Sequence, residues 1–143
     1  MKRKRGKKRG YLVKGYLPPI SRDILELEFF RNRIGEILKG NSGVYALYKD
    51  KDLYYVGITS KDLFWRLHQH TRGKHKNKWN MFSVFIISKG GYLHDIEGML
   101  QRISEPPANV WKSKFKEHYQ HDEEIKRMLK ETAKLIKRIQ RKI

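Results

Sequence analysis

The most regular pattern in the chain is a pair of short strand-forming runs separated by charged residues. The first run is Gly43-Val44-Tyr45-Ala46-Leu47-Tyr48, and the second is Leu53-Tyr54-Tyr55-Val56-Gly57-Ile58. Four polar residues, 49–52, lie between them. Two strand-like runs joined by a short polar turn predict a β-hairpin over residues 43–58.

The register of this hairpin depends on the length of its turn. Residues on one strand face alternate with a period of two, so Leu53, Tyr55 and Gly57 are predicted to share a face. A three-residue turn places Tyr45 directly opposite Tyr55, with the two phenols side by side. A two-residue turn offsets them. We expect the first arrangement.

Helical periodicity precedes and follows the hairpin. Apolar residues at helical spacing predict a helix over 22–39, with Ser21 as N-cap and Gly40 as the stop. A second helix is predicted over 61–72, capped by Ser60.

Three further elements follow in the second half of the chain. Residues 81–87, rich in Val, Ile and Phe, predict a third strand. Helix 92–105 has a predicted apolar stripe of Leu93, Ile96, Leu100 and Ile103 and ends before Pro106. A basic helix with a narrow apolar seam is predicted from 119 to 143.

These elements predict an α+β fold with a small three-stranded antiparallel sheet flanked by helices, in the core order β-β-α-β-α. An N-terminal helix and a long basic C-terminal helix are added to it. We divide the chain into a basic tail and linker (1–20, including Pro18-Pro19), an N-terminal helix (21–42), a core (43–110) and a basic helical extension (111–143).

The formal net charge is +18, and it is concentrated at the two ends. Residues 1–10 carry +7 and residues 111–143 carry +6, together 13 of the 18 surplus charges. Such blocks attract polyanions through counterion release, which favours nucleic acid over a membrane surface, because the first ten residues offer almost nothing apolar to insert. No apolar run approaches the ~20 residues of a membrane span, and no secretory signal is evident.

The chain has no cysteine, which excludes disulfides and cysteine-based zinc sites. The composition fits a reducing compartment. We therefore expect an intracellular protein, cytoplasmic or associated with the nucleoid.

Six features in fixed order carry a family resemblance. Gly43-Val44-Tyr45 and Tyr55-Val56-Gly57 are followed by Arg66, by His70 one helical turn later, by Glu97 on the next helix and by Asn109 after a Pro-rich loop. Over residues 43–109 this order resembles the GIY-YIG nuclease family. Both tripeptides have Val where the family name has Ile, a swap that keeps a β-branched packing residue.

The resemblance implies a metal-dependent endonuclease that hydrolyses DNA phosphodiester bonds. It implies that Tyr45, Tyr55, Arg66, His70 and Glu97 are catalytic. Glu97 would anchor Mg²⁺ or Mn²⁺, Arg66 would clamp the phosphate, and Tyr45 with His70 would activate water. Gly43, Gly57 and Asn109 would support the site, the Asn109 amide tying its loop to the hairpin.

The expected partner is DNA, duplex or branched. We expect phosphate contacts from the basic loop at Lys74, Lys76 and Lys78 and from the basic tail. The tail residues are Lys2, Arg3, Lys4, Arg5, Lys7, Lys8 and Arg9. The seam of the C-terminal helix is suited to forming a homodimer.

Each residue also has a structural interpretation when it is taken alone. Glu97 could form a surface ion pair, Arg66 could pair with Asp62 one turn earlier, and the tyrosines could be ordinary strand aromatics. The alternative function is a non-catalytic nucleic-acid-binding protein on the same fold. A basic protein associated with RNA or ribosomes is a third possibility that the composition allows.

Overall fold

A four-stranded antiparallel sheet lies at the centre of the protein. The computed structural model describes residues 10–88, 90–115 and 121–142. Its strands are β1 (Val13–Ser21), β2 (Gly43–Lys49), β3 (Asp52–Thr59) and β4 (Met81–Ile87), in the spatial order β1-β4-β2-β3. The predicted α+β class is confirmed, but the sheet has four strands where three were expected.

Within the residues that the structure describes, five α-helices accompany the sheet. They are α1 (Asp23–Glu26), α2 (Glu28–Leu38), α3 (Leu63–His70), α4 (Leu93–Ser104) and α5 (Asp122–Gln140). Single 3₁₀ turns lie at Gly73–His75 and Gly90–Tyr92. Across the described part of the chain, no helix combines the length and apolar character needed to cross a bilayer.

The two faces of the sheet are packed by different helices. On one face, Leu25 of α1, Leu38 of α2 and Leu67 of α3 form a core with Tyr45 and Phe82 of the sheet. On the other face, Leu93 of α4 packs with Val44, Val56 and Ile87. This alternation along β2 follows the predicted period of two. The sheet is therefore the middle of three layers.

The fourth strand comes from a segment that the sequence predicted as a linker. β1 pairs with β4 from Val13↔Ile87 to Ser21↔Met81, with an irregularity between Leu17 and Ile20. Pro18 and Pro19 lie in that irregularity on an edge strand, where their missing N–H groups break no regular ladder. The linker prediction for this segment is wrong because long-range pairing with β4 outweighs the local proline signal.

The predicted helix 22–39 is broken at Leu27, whose backbone is extended. The break changes the helical phase, so Leu25 is fully buried whereas Leu27 is 53% exposed. Ser21 is the last residue of β1 and Arg22 occupies the N-cap position, but the Ser21 Oγ accepts from the N–H of Asp23, the first residue of α1, at 3.2 Å. The predicted stop at Gly40 is confirmed by a φ of +73°, which glycine adopts without strain.

The hairpin is confirmed, but its predicted register is wrong. Lys49 pairs with Asp52 across a two-residue turn, and Tyr45 lies opposite Gly57. A register shift at Leu47/Tyr48 makes Tyr54 an extra residue on β3, which is a β-bulge. The extra residue sends Leu53 to the face of α4 while Tyr55 packs toward α3.

Helix α3 starts two residues later than predicted, and its cap is Asp62 rather than Ser60. The Asp62 carboxylate accepts hydrogen bonds from the backbone N–H of Trp65 (3.1 Å) and from that of Gly40 (2.9 Å). One side chain therefore starts α3 and holds the residue that ends α2.

This double cap generates a stability prediction. We expect Asp62→Ala to lower the free energy of unfolding by about 1–2 kcal/mol, the usual cost of a lost N-cap. Ser60→Ala, the matched control, should change it by less than about 0.5 kcal/mol, as exposed substitutions do. Urea unfolding followed by circular dichroism measures both. Equal effects would contradict the assignment of the cap.

Candidate active site

The candidate site lies at the free edge of the sheet, along β3. Tyr55 of β3, His70 of α3 and Glu97 of α4 line one cavity of about 380 Å³. The rest of its wall includes Arg72, Lys74, His75, Gln101 and residues 108–111. Three of the five residues expected to be catalytic thus share a single concavity, although they come from both faces of the sheet.

Tyr45 and His70 form the central hydrogen bond of the site. The Tyr45 hydroxyl lies 2.7 Å from Nε2 of His70. Burial, reinforced by the neighbouring Tyr55, raises the pKa of the Tyr45 phenol far above 10. Burial, with the nearby His75, Arg66 and Lys74, lowers the pKa of His70 to about 4. At neutral pH the phenol is therefore the donor, and Nε2 of a neutral imidazole is the acceptor.

The two tyrosines differ in access. Tyr45 is 1% exposed, so a molecule in the cavity reaches it only through His70 or Tyr55. Tyr55 lines the cavity, with its ring 6.1 Å from that of Tyr45 and 5.3 Å from that of His70. Burial is also the main cause of a raised pKa for Tyr55.

Gly57 makes this aromatic arrangement possible. A Cβ at this position would lie 2.7 Å from Cε1 of Tyr55 and even closer to the Tyr45 ring. Gly43 has a similar role, because a Cβ there would overlap the carbonyl oxygen of Phe85 on β4. Both glycines allow close approach at the ends of strands, as expected.

Glu97 reaches the cavity because of the face that α4 buries. Leu93, Glu97 and Gln101 follow one another at i, i+4 spacing along the inner face. The predicted stripe is therefore only half correct, since Leu93 and Ile96 pack on the sheet but Ile103 is 82% exposed. Ser113 donates its hydroxyl hydrogen bond to Glu97 Oε1, which fixes the half-buried carboxylate.

Arg66 lies beside this cavity rather than in its wall. It is exposed on α3 and lines a neighbouring groove. Its guanidinium is close enough to lower the pKa of both phenols in opposition to burial. Its Nη1 donates to Oε1 of Gln69 at 3.3 Å, and the Asp62 carboxylate caps α3. The alternative interpretation of Arg66, an ion pair with Asp62, is therefore not observed.

Asn109 holds the wall of the cavity against β3. Its Oδ1 accepts from the N–H of Val56 and its Nδ2 donates to the C=O of Val56, both at 2.8 Å. The Ala108 N–H donates to the Tyr54 carbonyl at 3.0 Å. Asn109 therefore connects this loop to the hairpin, as expected.

One aromatic residue of the site, His75, was missed in the sequence analysis. His75 is buried, its Nδ1 lies 2.8 Å from the Tyr54 hydroxyl, and its ring is 5.2–5.3 Å from those of Tyr55 and His70. His75 lies in a Lys-rich loop, and such a composition is typical of solvent-exposed surface, so the sequence did not indicate its burial. Arg22 donates to carbonyl oxygens of the same loop, those of Lys76 and Trp79.

The expected DNA-contacting lysines are only partly brought together. Lys74 lines the cavity with Arg72, whereas Lys76 lines a separate cleft beside Arg22. Lys78 is exposed. The basic residues Lys2 to Arg9 lie outside the described residues. Trp79 in this loop is buried against Phe82 and donates its indole N–H to the His70 carbonyl at 2.9 Å, so it supports the site from behind.

The donor set suits a hard divalent cation held by few protein ligands. Within the described ranges no three His, Cys, Asp or Glu side chains form a metal cluster. A Mg²⁺ or Mn²⁺ ion that keeps several waters needs only one or two carboxylates. Glu97, with one oxygen engaged by Ser113, offers such a carboxylate at the cavity wall.

Comparison with known proteins gives no match: no family model, no curated protein and no solved structure matches the chain.

The lowered pKa of His70 generates a prediction about pH. Between pH about 6.5 and about 4 the unfolded state binds a proton at this position that the folded state does not, so stability falls as pH falls through this window. We expect the His70 imidazole to titrate near pH 4 by NMR. His70→Gln should flatten the decline of the unfolding free energy over the same window. Titration of His70 near 6.5 would contradict the buried hydrogen-bonded arrangement.

Proposed function

We propose that this protein is a metal-dependent DNA endonuclease of the GIY-YIG type. The observation that carries the proposal is the meeting of a hydrogen-bonded Tyr45–His70 pair with Glu97 around one cavity at the edge of β3. These residues are 52 positions apart in the chain. A structural role for each alone does not account for their sharing a cavity.

His70 is the final acceptor of the proton of the attacking water. Because the Tyr45 hydroxyl occupies Nε2, the water gives its proton to the Tyr55 hydroxyl, Tyr55 gives its own to Tyr45, and Tyr45 gives its own to Nε2 of His70. His70 lines the cavity, is neutral at pH 7 and is held by Tyr45 in the tautomer with Nδ1 protonated. A phosphate in the cavity favours the imidazolium form, so substrate binding raises the pKa of His70 toward the working range of a general base. Tyr45 orients the imidazole and can exchange a proton with it, while Tyr55 contacts the phosphate or the water.

Cationic side chains stabilise the phosphate as negative charge develops. Arg72 and Lys74 line the cavity, and Arg66 approaches it from the neighbouring groove. The planar guanidinium of Arg66 suits two phosphate oxygens at once. Such fixed charges act most strongly on the transition state, where the phosphoryl oxygens carry most charge.

Glu97 is the residue that would hold Mg²⁺ or Mn²⁺. When bound, the ion supplies Lewis-acid stabilisation of the phosphate and of the leaving oxygen. The chain itself fixes the carboxylate through Ser113, whose backbone N–H donates to Gln101 at 2.8 Å. Because Gln101 and Glu97 lie on the same face of α4, one loop fixes both side chains.

The partner is DNA inside the cell, in the cytoplasm or on the nucleoid. A net charge of +18 supports sequence-independent binding to phosphates. The alternative, a non-catalytic nucleic-acid-binding module, shares this charge but requires no cavity that unites Tyr55, His70 and Glu97.

Cleavage of supercoiled plasmid separates the two functions. With Mg²⁺ or Mn²⁺ we expect the wild type to nick DNA and Glu97→Gln to lower the rate by at least about 100-fold, because the lost carboxylate cannot be replaced by an amide at a metal. Arg66→Ala should lower it by about 100-fold or more. Glu105→Gln is the matched control, because Glu105 pairs with Lys112 outside the cavity, and it should keep full activity.

Binding by the wild type without any cutting, on duplex, branched and single-stranded DNA, would favour the non-catalytic module. Cleavage activity that persists in Glu97→Gln would contradict the assignment of Glu97 as the metal ligand.

We also propose that α5 joins two copies of the chain. Ile125, Met128, Thr132, Leu135 and Ile139 follow the 3–4 spacing of a coiled-coil seam. The apolar seam residues are at least half exposed. The helix is acidic in its first turn and basic in its last, so an antiparallel pair places opposite charges together. A dimer supplies the second active site that a double-strand break requires.

Light scattering after size exclusion tests this association. We expect a dimer for the wild type and a monomer for Met128→Gln/Leu135→Gln, which places amides in the seam. Lys130→Gln/Lys137→Gln changes the opposite face of the same helix and should remain dimeric. A wild-type protein that is monomeric at about 100 μM would refute the proposed dimer. A functional interface along this 19-residue helix should have a dissociation constant below that concentration.

A further inference from the structure

A second groove lies next to the candidate active site, and its main feature is an exposed tryptophan. The groove has a volume of about 550 Å³ and lies at the start of α3. Trp65 is 56% exposed in its wall, beside Arg66, Gln69, Lys61 and His94. Such a volume accommodates a small planar ligand. The proposed reaction gives this indole no role.

The indole is held in place although it is exposed. Its ring meets Phe64 at 81° and His68 at 83°, with centroids 5.8 and 6.1 Å away. The Trp65 backbone is fixed by the Asp62 cap, at 3.1 Å. An aromatic surface that is already ordered loses little conformational entropy when a second ring stacks on it.

The charge of the groove favours an anionic ligand. Lys61 and Arg66 are cationic, and the Asp62 carboxylate is occupied by the N–H groups of Trp65 and Gly40. An aromatic platform beside cationic side chains is the combination that binds a nucleotide, with the base on the ring and the phosphate on the cations.

Arg66 connects this groove to the reaction centre. It lines the groove, yet its charge acts on the phenols of both Tyr45 and Tyr55. A phosphate held by Arg66 therefore lies at the boundary of the two concavities. Trp65 lines the same groove as Arg66, so its indole is within the concavity that a base next to this phosphate would enter.

We propose that Trp65 stacks on the base of a nucleotide that adjoins the cleaved bond, and that this base is unpaired. In an intact duplex both faces of a base are covered by its neighbours, so a stacking platform selects a single strand, a flap or a branch point. This inference rests on the proposed nuclease function and narrows its substrate to DNA with an unpaired strand at the cut.

Binding measurements test the stacking separately from cleavage. Fluorescence anisotropy, in the Glu97→Gln background and without divalent metal, compares a flapped DNA with a fully paired duplex of the same length. We expect Trp65→Ala to weaken binding of the flapped DNA by about 5- to 150-fold, the range of one lost base stack. Duplex binding should change by less than about twofold.

Three further measurements control the result. Trp65→Tyr keeps an aromatic face and should restore most of the affinity, and Phe29→Ala removes an aromatic side chain that is 70% exposed on α2 and should have no effect. An abasic nucleotide at the flap junction should weaken wild-type binding as much as Trp65→Ala does, with no further loss in the variant.

The stacking proposal is overturned if Trp65→Ala weakens flapped and duplex DNA equally, or if the abasic nucleotide makes no difference. Because binding is measured without cutting, a failure of the nuclease proposal appears only in the plasmid assay. The two proposals can therefore fail independently.

Discussion

The free edge of β3 carries backbone groups that need partners, and the way they are satisfied determines the architecture of the site. The Asn109 side chain pairs with both the N–H and the C=O of Val56, as a neighbouring strand would. Gln101 of α4 reaches the same carbonyl at 3.5 Å. An unpaired edge invites association with other chains, so these contacts protect it. They also attach the loop after α4 to the strand that carries Tyr55, which brings Glu97 into the cavity wall.

The chemistry of the site depends on burial acting in opposite directions on two kinds of group. Removal from water disfavours charge, so the pKa of Tyr45 rises while that of His70 falls. Both groups are then neutral, and a neutral pair can share one proton across 2.7 Å without a net charge in the core. In the proposed function, a charged substrate and a cation would change this balance. Binding of charged groups in the cavity would therefore change the protonation of the Tyr45–His70 pair.

The sequence predicted best those features that depend on local pattern. The β-hairpin and the bounds of β4 follow from dense strand-forming runs, and the Gly40 stop follows from the ability of glycine to adopt a positive φ. The order of Tyr45, Tyr55, Arg66, His70 and Glu97 predicted a common site, and Tyr55, His70 and Glu97 do line one cavity.

The features that were missed depend on distant partners. β1 forms only because β4 offers an edge, despite Pro18 and Pro19. The Asp62 carboxylate that caps α3 also accepts from the N–H of Gly40 after α2, and Arg22 donates to the Lys76 carbonyl in the loop that contains His75. The bulge at Tyr54 shifts the pairing of β3 by one residue, and the alternating pattern of the sequence does not reveal this shift. Each of these features depends on contacts between residues that are distant in the sequence, and a local pattern does not contain such contacts.

The glycine beneath the aromatic rings has an implication for how this chain can vary. Positions 45, 55 and 57 occupy one small volume, because the space that a Cβ at Gly57 would need is already filled by two tyrosine rings. Any larger residue at 57 is compatible with the fold only when a ring at 45 or 55 is given up. On steric grounds Gly57 can therefore change only together with one of the two tyrosines, whereas either tyrosine can become smaller without a change at 57.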